Sequence, residues 1–477
     1  MVIALAQLMV VLDATIVNIA LPSAQRDLGI SDGNRQWVIT AYTLAFGGLL
    51  LLGGRIADLA GRKRTFVIGL VGFAAASALG GAATGPAMLF GARALQGVFA
   101  AVLAPSALSL LTTTFTDPRE RGKAFGIYGA LAGSGSAIGF IVGGVLTEYL
   151  DWRWCLYVNA PIAAVAVIGA LALLHDRPAR TGARLDVPGV LLGCGGLVAL
   201  VYGFSEAESR GWTDALVLGC FAAAVVLLTA FVRWQSRAPM PLLPLRIVRD
   251  RNRAGCFLTM MLAVTGMFGL FLFMTYYLQV ILGYSPVRTG LAFLPLTAAI
   301  ITGSTQVSAR LLHHVAPRML LVPGMLLAAG GMGLLTRMTV HSSYAAEIMP
   351  ALILLGLGMG LTFMPVFATA TAGVAPQDSG VTSATVNTAQ QVGGSIGTAL
   401  LNTVATTTSA AWITAHLTDP AQREALTREG VVHGYTVAIW LAAGVMLLAA
   451  LVAGLMVTAR APKHGTPAER PVSEPVA

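Results

Sequence analysis

The chain has 477 residues, of which 56% are hydrophobic and only 11% charged, and its formal net charge is +9. A soluble domain usually carries about 25% charged residues, and a mean hydropathy of +0.76 describes a surface that water cannot cover. The positive charges lie between apolar stretches and form no basic face, which argues against nucleic acid as a partner.

Apolar stretches recur along the whole chain, each long enough to cross about 30 Å of hydrocarbon. In lipid every backbone amide must be satisfied within its own segment, so the expected class is an all-α integral membrane protein. The ten-residue alternation of a membrane β-barrel is not seen. In chain order, helices are expected near 2–21, 36–56, 65–84, 86–113, 124–147, 155–174, 187–205, 214–232, 254–276, 289–312, 318–337, 347–373, 381–405 and 433–458, fourteen in all. The loop 410–434 is expected to be external, with one short surface helix over 419–429. The polar, Pro-rich stretch 460–477 reads as a disordered tail. The first apolar stretch, 2–21, has no cleavage site of a signal peptide. It also lacks the basic residues expected just before a first membrane helix, which points to a start upstream of Met1.

Orientation follows from arginine and lysine in the loops. One set of loops, with the tail, holds 21 of the 30 basic residues; the opposite loops hold eight, and Arg93 lies within a helix. That imbalance places both ends in the cytoplasm. Lysine is scarce beside abundant Ala, Gly and Val, a composition that suggests a GC-rich bacterial genome and hence the cytoplasmic membrane. Cys155, Cys194, Cys220 and Cys256 have neither metal-ligand nor disulfide spacing, and no cofactor motif is present.

Ionisable groups inside a membrane cost about 2.5–3.5 kcal/mol each on insertion scales, so each is a functional candidate. The spans leave two at depth, Asp13 in helix 1 and Arg93 in helix 4. Counted from the outer helix ends at 1.5 Å per residue, both lie roughly 10–12 Å deep, so they meet if the two helices face one cavity. Burial favours the neutral form of a carboxyl and a nearby arginine favours the charged form; a group so balanced can load and release a proton. A static pair that only locks the helices is the alternative. Glu206, Glu208 and Glu347 fall at helix ends and read as solvated caps. With one acid at depth, a neutral or monocationic lipophilic cargo is expected rather than a dication. Helix 9 carries a Met and aromatic stripe that includes Met267, Phe271 and Tyr276. Such side chains suit adaptable binding, although packing explains most of them.

The stretch Gly54-Arg-Ile-Ala-Asp58-Leu-Ala-Gly61-Arg62-Lys63 is a glycine-bounded turn with one acid among bases. It resembles the loop between helices 2 and 3 of the major facilitator superfamily. Leu12-Asp13-Ala-Thr15-Ile-Val-Asn18 through Pro22 resembles the helix-1 motif of that superfamily's fourteen-helix drug:proton antiporter branch, and Arg93-Ala-Leu-Gln96-Gly97 resembles its helix-4 motif. Asp151-Trp-Arg153-Trp154, followed by Asn159-Ala-Pro161, is similar to the branch's segment leading into helix 6. Asn387 through Gln390, Gln391, Gly393 and Gly394 to Gly397 resembles its helix 13. The helix-5 antiporter motif is matched at Gly135, Gly139, Gly143 and Gly144, but Phe140 stands where that pattern has proline, so the proline kink is expected to be missing or supplied otherwise.

The resemblance implies two six-helix bundles, 1–176 and 254–459, with two inserted helices in 177–253. It further implies a proton-coupling role for Asp13 and Arg93 and a cytoplasmic gate at Gly54, Asp58, Gly61, Arg62 and Lys63. Asn18, Gln390, Gln391, Met267, Phe271 and Tyr276 are the cavity candidates. The expected function is efflux of lipophilic small molecules, such as drugs or antibiotics, by alternating access in exchange for protons, by a monomer in the bilayer. An exporter dedicated to one metabolite and a nutrient symporter are the alternatives. A membrane enzyme would need a His, Asp or Glu cluster at one face and a sensor would need an output domain; neither is seen.

Overall fold

The computed structural model describes residues 1–459 apart from 31–36, 116, 175–184, 376–377 and 417–422. Among the described residues the chain is helical throughout, without a strand. The first half comprises α1 (Val2–Leu28), α2 (Trp37–Ala60), α3 (Arg62–Gly81), α4 (Pro86–Thr114), α5 (Pro118–Tyr149) and α6 (Trp154–Leu173). Then come α7 (Val187–Arg210), α8 (Ala215–Gln235) and a short connecting helix, Leu245–Arg249. The second half comprises α9 (Arg251–Tyr276), α10 (Val287–Leu311), α11 (Arg318–Leu335), α12 (Tyr344–Thr371), α13 (Ser379–His416) and α14 (Arg423–Met456).

Local chemistry sets the boundaries. Asp186, Asp214, Asp250 and Ser285 each accept a backbone N–H at the start of α7, α8, α9 and α10, satisfying donors that a helix leaves unpaired. Gly61 alone separates α2 from α3, and its φ of 95° is a conformation that side-chain-bearing residues rarely adopt.

Ten of these helices are long and apolar enough to cross a membrane, and α1, bent between Val17 and Ile19, makes an eleventh when taken as one span. The remaining long helices, α5, α9 and α13, reach 32, 26 and 38 residues but are less apolar. Their composition follows from their neighbours. Gly135, Gly139 and Gly143 put α5 against Val11, Thr15 and Ile16 of α1, while Gly393 and Gly397 put α13 against backbone of α9 at Met261 and Thr265. Small residues at four-residue spacing permit such approach and lower hydropathy at the same time.

Within the first half α4 packs on α2 and α3, and α1 on α5; within the second, α14 packs on α9, α11 and α13. The halves meet along two seams, α2 and α4 against α13, and α5 against α10 and α12. The α7–α8 pair leans on α2 and α13, pinned by Thr40–Ser205 at 3.1 Å and by Trp212 Nε1 donating to Thr403 Oγ1 at 2.9 Å.

One expectation changes. The loop 410–434 is largely helical: α13 continues to His416 and α14 begins at Arg423, so residues 423–429 are the first turns of a long helix and not a separate surface helix. Glycine drives this, since Gly430 and Gly434 fit against Ile413 and Ser409 and keep the two helices paired beyond the apolar stretch. The expected tail, 460–477, lies outside the described residues.

Candidate functional site

Asp13 and Arg93 meet. Arg93 Nη1 lies 2.7 Å from Asp13 Oδ2, with side-chain exposures of 1% and 0%. Gln96, one turn along α4, donates to Asp13 Oδ1 at 2.9 Å and accepts from Arg93 Nη1 at 2.9 Å. Arg93 Nε donates to the Val38 carbonyl at 3.1 Å, and the guanidinium lies 4.5 Å from the centre of the Tyr42 ring. A third donor reaches the carboxylate from α6, Asn159 Nδ2 at 2.8 Å from Oδ1. That same nitrogen lies 2.9 Å from Ser77 Oγ on α3, whose hydroxyl donates to the Leu156 carbonyl at 2.8 Å. Five helices, α1, α2, α3, α4 and α6, thus converge around one buried carboxyl. Its charge is offset by one guanidinium and two amides, the arrangement that lets a charge persist at depth.

The helices that hold this cluster approach closely. A Cβ on Gly97 would stand 2.4 Å from the Tyr42 carbonyl oxygen, and one on Gly139 would stand 1.9 Å from Thr15 Oγ1. A small crevice lined by Val17, Leu21, Val38, Leu89, Trp152 and Leu156 reaches Arg93. Beyond it, Asp27 accepts from Arg153 Nη1 at 2.6 Å and from Trp152 Nε1 at 3.1 Å, while Arg153 Nη2 donates to the Ala83 carbonyl. The Asp151-Trp-Arg153-Trp154 segment therefore clamps the ends of α1 and α3 to the start of α6.

At the other, basic end, Asp58 accepts from the backbone N–H of Gly380 at 3.0 Å and of Val381 at 3.2 Å. A carboxylate of the first half so caps the N-terminus of α13 in the second, where helix dipole and free N–H groups favour an anion. Arg62 lies 3.5 Å from Asp58, and Lys63 donates to the Leu171 and Leu174 carbonyls at the end of α6. Gly54 and Gly380 make the seam possible, since a Cβ on Gly54 would stand 2.6 Å from the Gly380 carbonyl oxygen. Ser109 and Ser379 share a hydrogen bond across the same seam, and Arg246 of the connecting helix pairs with Asp378. Asp186 gathers Gly189 N, Trp234 Nε1, Gln235 Nε2 and Leu242 N, binding α7, α8 and the connection to α9 together. Burial pushes its carboxyl up, but those four donors outweigh it and hold Asp186 below the ordinary carboxylate value.

The other expected residues are more dispersed. In the helix-5 motif, Gly135, Gly139 and Gly143 face α1 and Gly144 faces Val287 of α10. The helix is continuous through Phe140, whose side chain, like that of Asn18, lies outside the described ones. Gln390 and Gln391 are half-buried on α13, with Gln391 beside Gly47 of α2. Met267 is buried in the core, Phe271 stacks at a tilt on Phe293, and Tyr276 sits at the rim against Tyr435. These candidates do not gather around one point. Glu206 pairs with Arg210, and Glu347 bonds Ser342, so both are partnered helix-end acids.

Sequence reasoning quoted Asn159 only as part of a motif and missed Ser77 and Tyr42. The available signal was a lone amide inside an otherwise apolar span. Among the described residues no group of His, Cys, Asp or Glu is placed to hold a metal ion.

A family model described as Major Facilitator Superfamily matches residues 3–398. The chain is 58% identical over 457 residues to the puromycin resistance protein pur8 of Streptomyces alboniger, covering 95% of this chain and 90% of that one. It is 40% identical over 402 residues to the cephamycin export protein CmcT of Amycolatopsis lactamdurans, covering 84% and 83%. Its fold is similar to that of the human organic anion transporter MFSD10, with a TM-score of 0.65 at 15% identity over 95% of this chain and 98% of that one.

Proposed function

The chain belongs to the major facilitator superfamily of multi-pass membrane transporters, and we propose that it exports an antibiotic or a similar lipophilic small molecule in exchange for protons. The observation that carries the proposal is the buried Asp13–Arg93–Gln96–Asn159 cluster, which gives a carboxyl inside the helical bundle one guanidinium and two amide partners. The relatives named for puromycin resistance and cephamycin export support an antibiotic as cargo.

In this reading α5, α9 and α13 also cross the bilayer, for fourteen crossings. The two bundles, 1–176 and 254–459, rock about a midplane site as internal repeats do, and 177–253 supplies the inserted pair. The basic end faces the cytoplasm of a bacterial cell, as do both termini, and the protein works as a monomer without cofactor. The seam at Asp58 closes the cytoplasmic side. When it opens, ionised Asp13 belongs to a cavity that takes cargo from the cytoplasm or inner leaflet. After the turn outward, Asp13 takes a proton from outside, cargo leaves, and the return carries the proton in. The driving force is about 2.3 kcal/mol per charge per 100 mV, with about 1.4 kcal/mol more per pH unit.

A second reading, an exporter dedicated to one compound, is favoured by relatives that are each named for a single antibiotic. Accumulation of a panel led by puromycin, in cells with and without a protonophore, tests both. Extrusion that the protonophore abolishes supports proton coupling, and a single responsive compound selects the dedicated exporter. Extrusion that survives the protonophore overturns the coupling, and extrusion of none overturns export.

A further inference from the structure

Three donors converge on Asp13, and they are not equivalent. Arg93 and Gln96 share α4 and bond each other, so each keeps a partner whatever Asp13 does. Asn159 comes from α6 and is fully buried. Its Nδ2 is divided between Asp13 Oδ1 at 2.8 Å and Ser77 Oγ at 2.9 Å, while its Oδ1 is buried without a partner. An unpaired buried carbonyl is costly, so an amide is poorly suited to this position as a packing residue. Leucine has nearly the same shape and carries no such cost. What the amide supplies is its N–H, and among the described residues the charged group that N–H meets is Asp13.

We propose that Asn159 is a positioning residue for the proton site. Its donor holds the ionised form of Asp13 and ties that form to α6 and, through Ser77, to α3. A proton on Asp13 cancels the charge that this bond serves, so proton loading loosens α1 from α6. The inference rests on the reading of Asp13 as the proton carrier. The other titratable groups close enough to Asp13 to interact with its charge are Arg93 from α4, Tyr42 from α2 and Cys155 from the start of α6. α5 carries none between Tyr128 and Glu148, and those of α3 lie at its basic end.

The test is proton release from the purified full-length protein in weakly buffered detergent, on adding puromycin, as a function of pH. Wild type, Asp13→Asn, Asn159→Leu, Asn159→Ala and Ser77→Ala are compared. Removing a donor from the ionised form makes the proton easier to bind. In Asn159→Leu the midpoint should therefore move to higher pH by about one unit, a tenfold gain in proton affinity. Asn159→Ala removes the same donor in a smaller side chain and should shift the same way, which covers a Leu variant that fails to fold. Ser77→Ala leaves the Asp13 bond in place and should stay within a few tenths of a unit of wild type.

Asp13-dependent release in wild type with unmoved midpoints in both Asn159 variants would overturn this assignment alone. A Ser77→Ala shift as large as that of Asn159→Leu would also overturn it, because helix packing and not the bond to Asp13 would then set the midpoint. Absence of release in wild type would overturn it together with the proton-carrier reading.

Discussion

Replacing Asp58 by asparagine should open the basic end. The Asp58 side chain is 2% exposed and accepts two backbone N–H groups of α13 at 3.0 and 3.2 Å. Hydrogen bonds to a charged group contribute about 1.5–3 kcal/mol each, and an anion at a helix N-terminus adds up to about 2 kcal/mol in a partly buried setting. Asparagine keeps the shape and one accepting oxygen. It loses the charge and turns the other oxygen into an NH2 that faces the Val381 N–H. Losing one charge-assisted bond while weakening the other removes about 2–3 kcal/mol from the closed arrangement, a factor of roughly 30 to 150 in the closed-to-open ratio. Ser109 and Ser379 report that ratio, because their hydroxyl oxygens lie 2.5 Å apart across the seam. With both replaced by cysteine, in a background lacking Cys155, Cys194, Cys220 and Cys256, oxidative cross-linking should be fast with Asp58 and slower with Asp58→Asn, by at most that factor because the rate follows the closed fraction. Equal cross-linking rates in the two proteins would refute the claim that the Asp58 cap holds the seam closed.

Three further outcomes follow from the same geometry. Arg93→Ala should cost about 3–5 kcal/mol by leaving a buried carboxylate unpaired, and adding Asp13→Asn should recover part of it; thermal unfolding in detergent reads both. Gly53→Ala should cost about 3 kcal/mol, because a Cβ there would stand 2.0 Å from the Ala101 carbonyl oxygen, whereas Gly91→Ala, with open space around it, should be neutral or slightly stabilising. The depressed carboxyl of Asp186 contributes stability that is present above its unfolded-state value of about 4 and lost as pH falls through its folded-state value. The melting-temperature gap between wild type and Asp186→Asn should therefore shrink below pH 4 and be constant above pH 6.

What the sequence made legible was whatever carries an energetic penalty in isolation. An aspartate and an arginine within apolar stretches had to find each other, and they do. The glycine-bounded turn before Arg62 had to be tight, and Gly61 adopts the conformation expected of it. Less legible were features whose meaning depends on a partner far along the chain. Asn159 is one amide in an apolar span, and nothing local says that it faces Asp13, 146 residues away. The N-terminus of α13 has no sequence sign that its cap is a carboxylate from α2, and Arg246 gives none that it pairs with Asp378. Helices α13 and α14 extend past their apolar stretches because each lines the other, so hydropathy alone ends them early.

The most direct test of proton-driven export is uphill transport in liposomes containing the purified protein, with an imposed acid-inside pH gradient and puromycin outside. Wild type should accumulate puromycin above the outside concentration and stop when the gradient is collapsed. Asp13→Asn should still exchange puromycin down its gradient, which shows it folded, yet accumulate none. Uphill accumulation by Asp13→Asn equal to that of wild type would contradict the account.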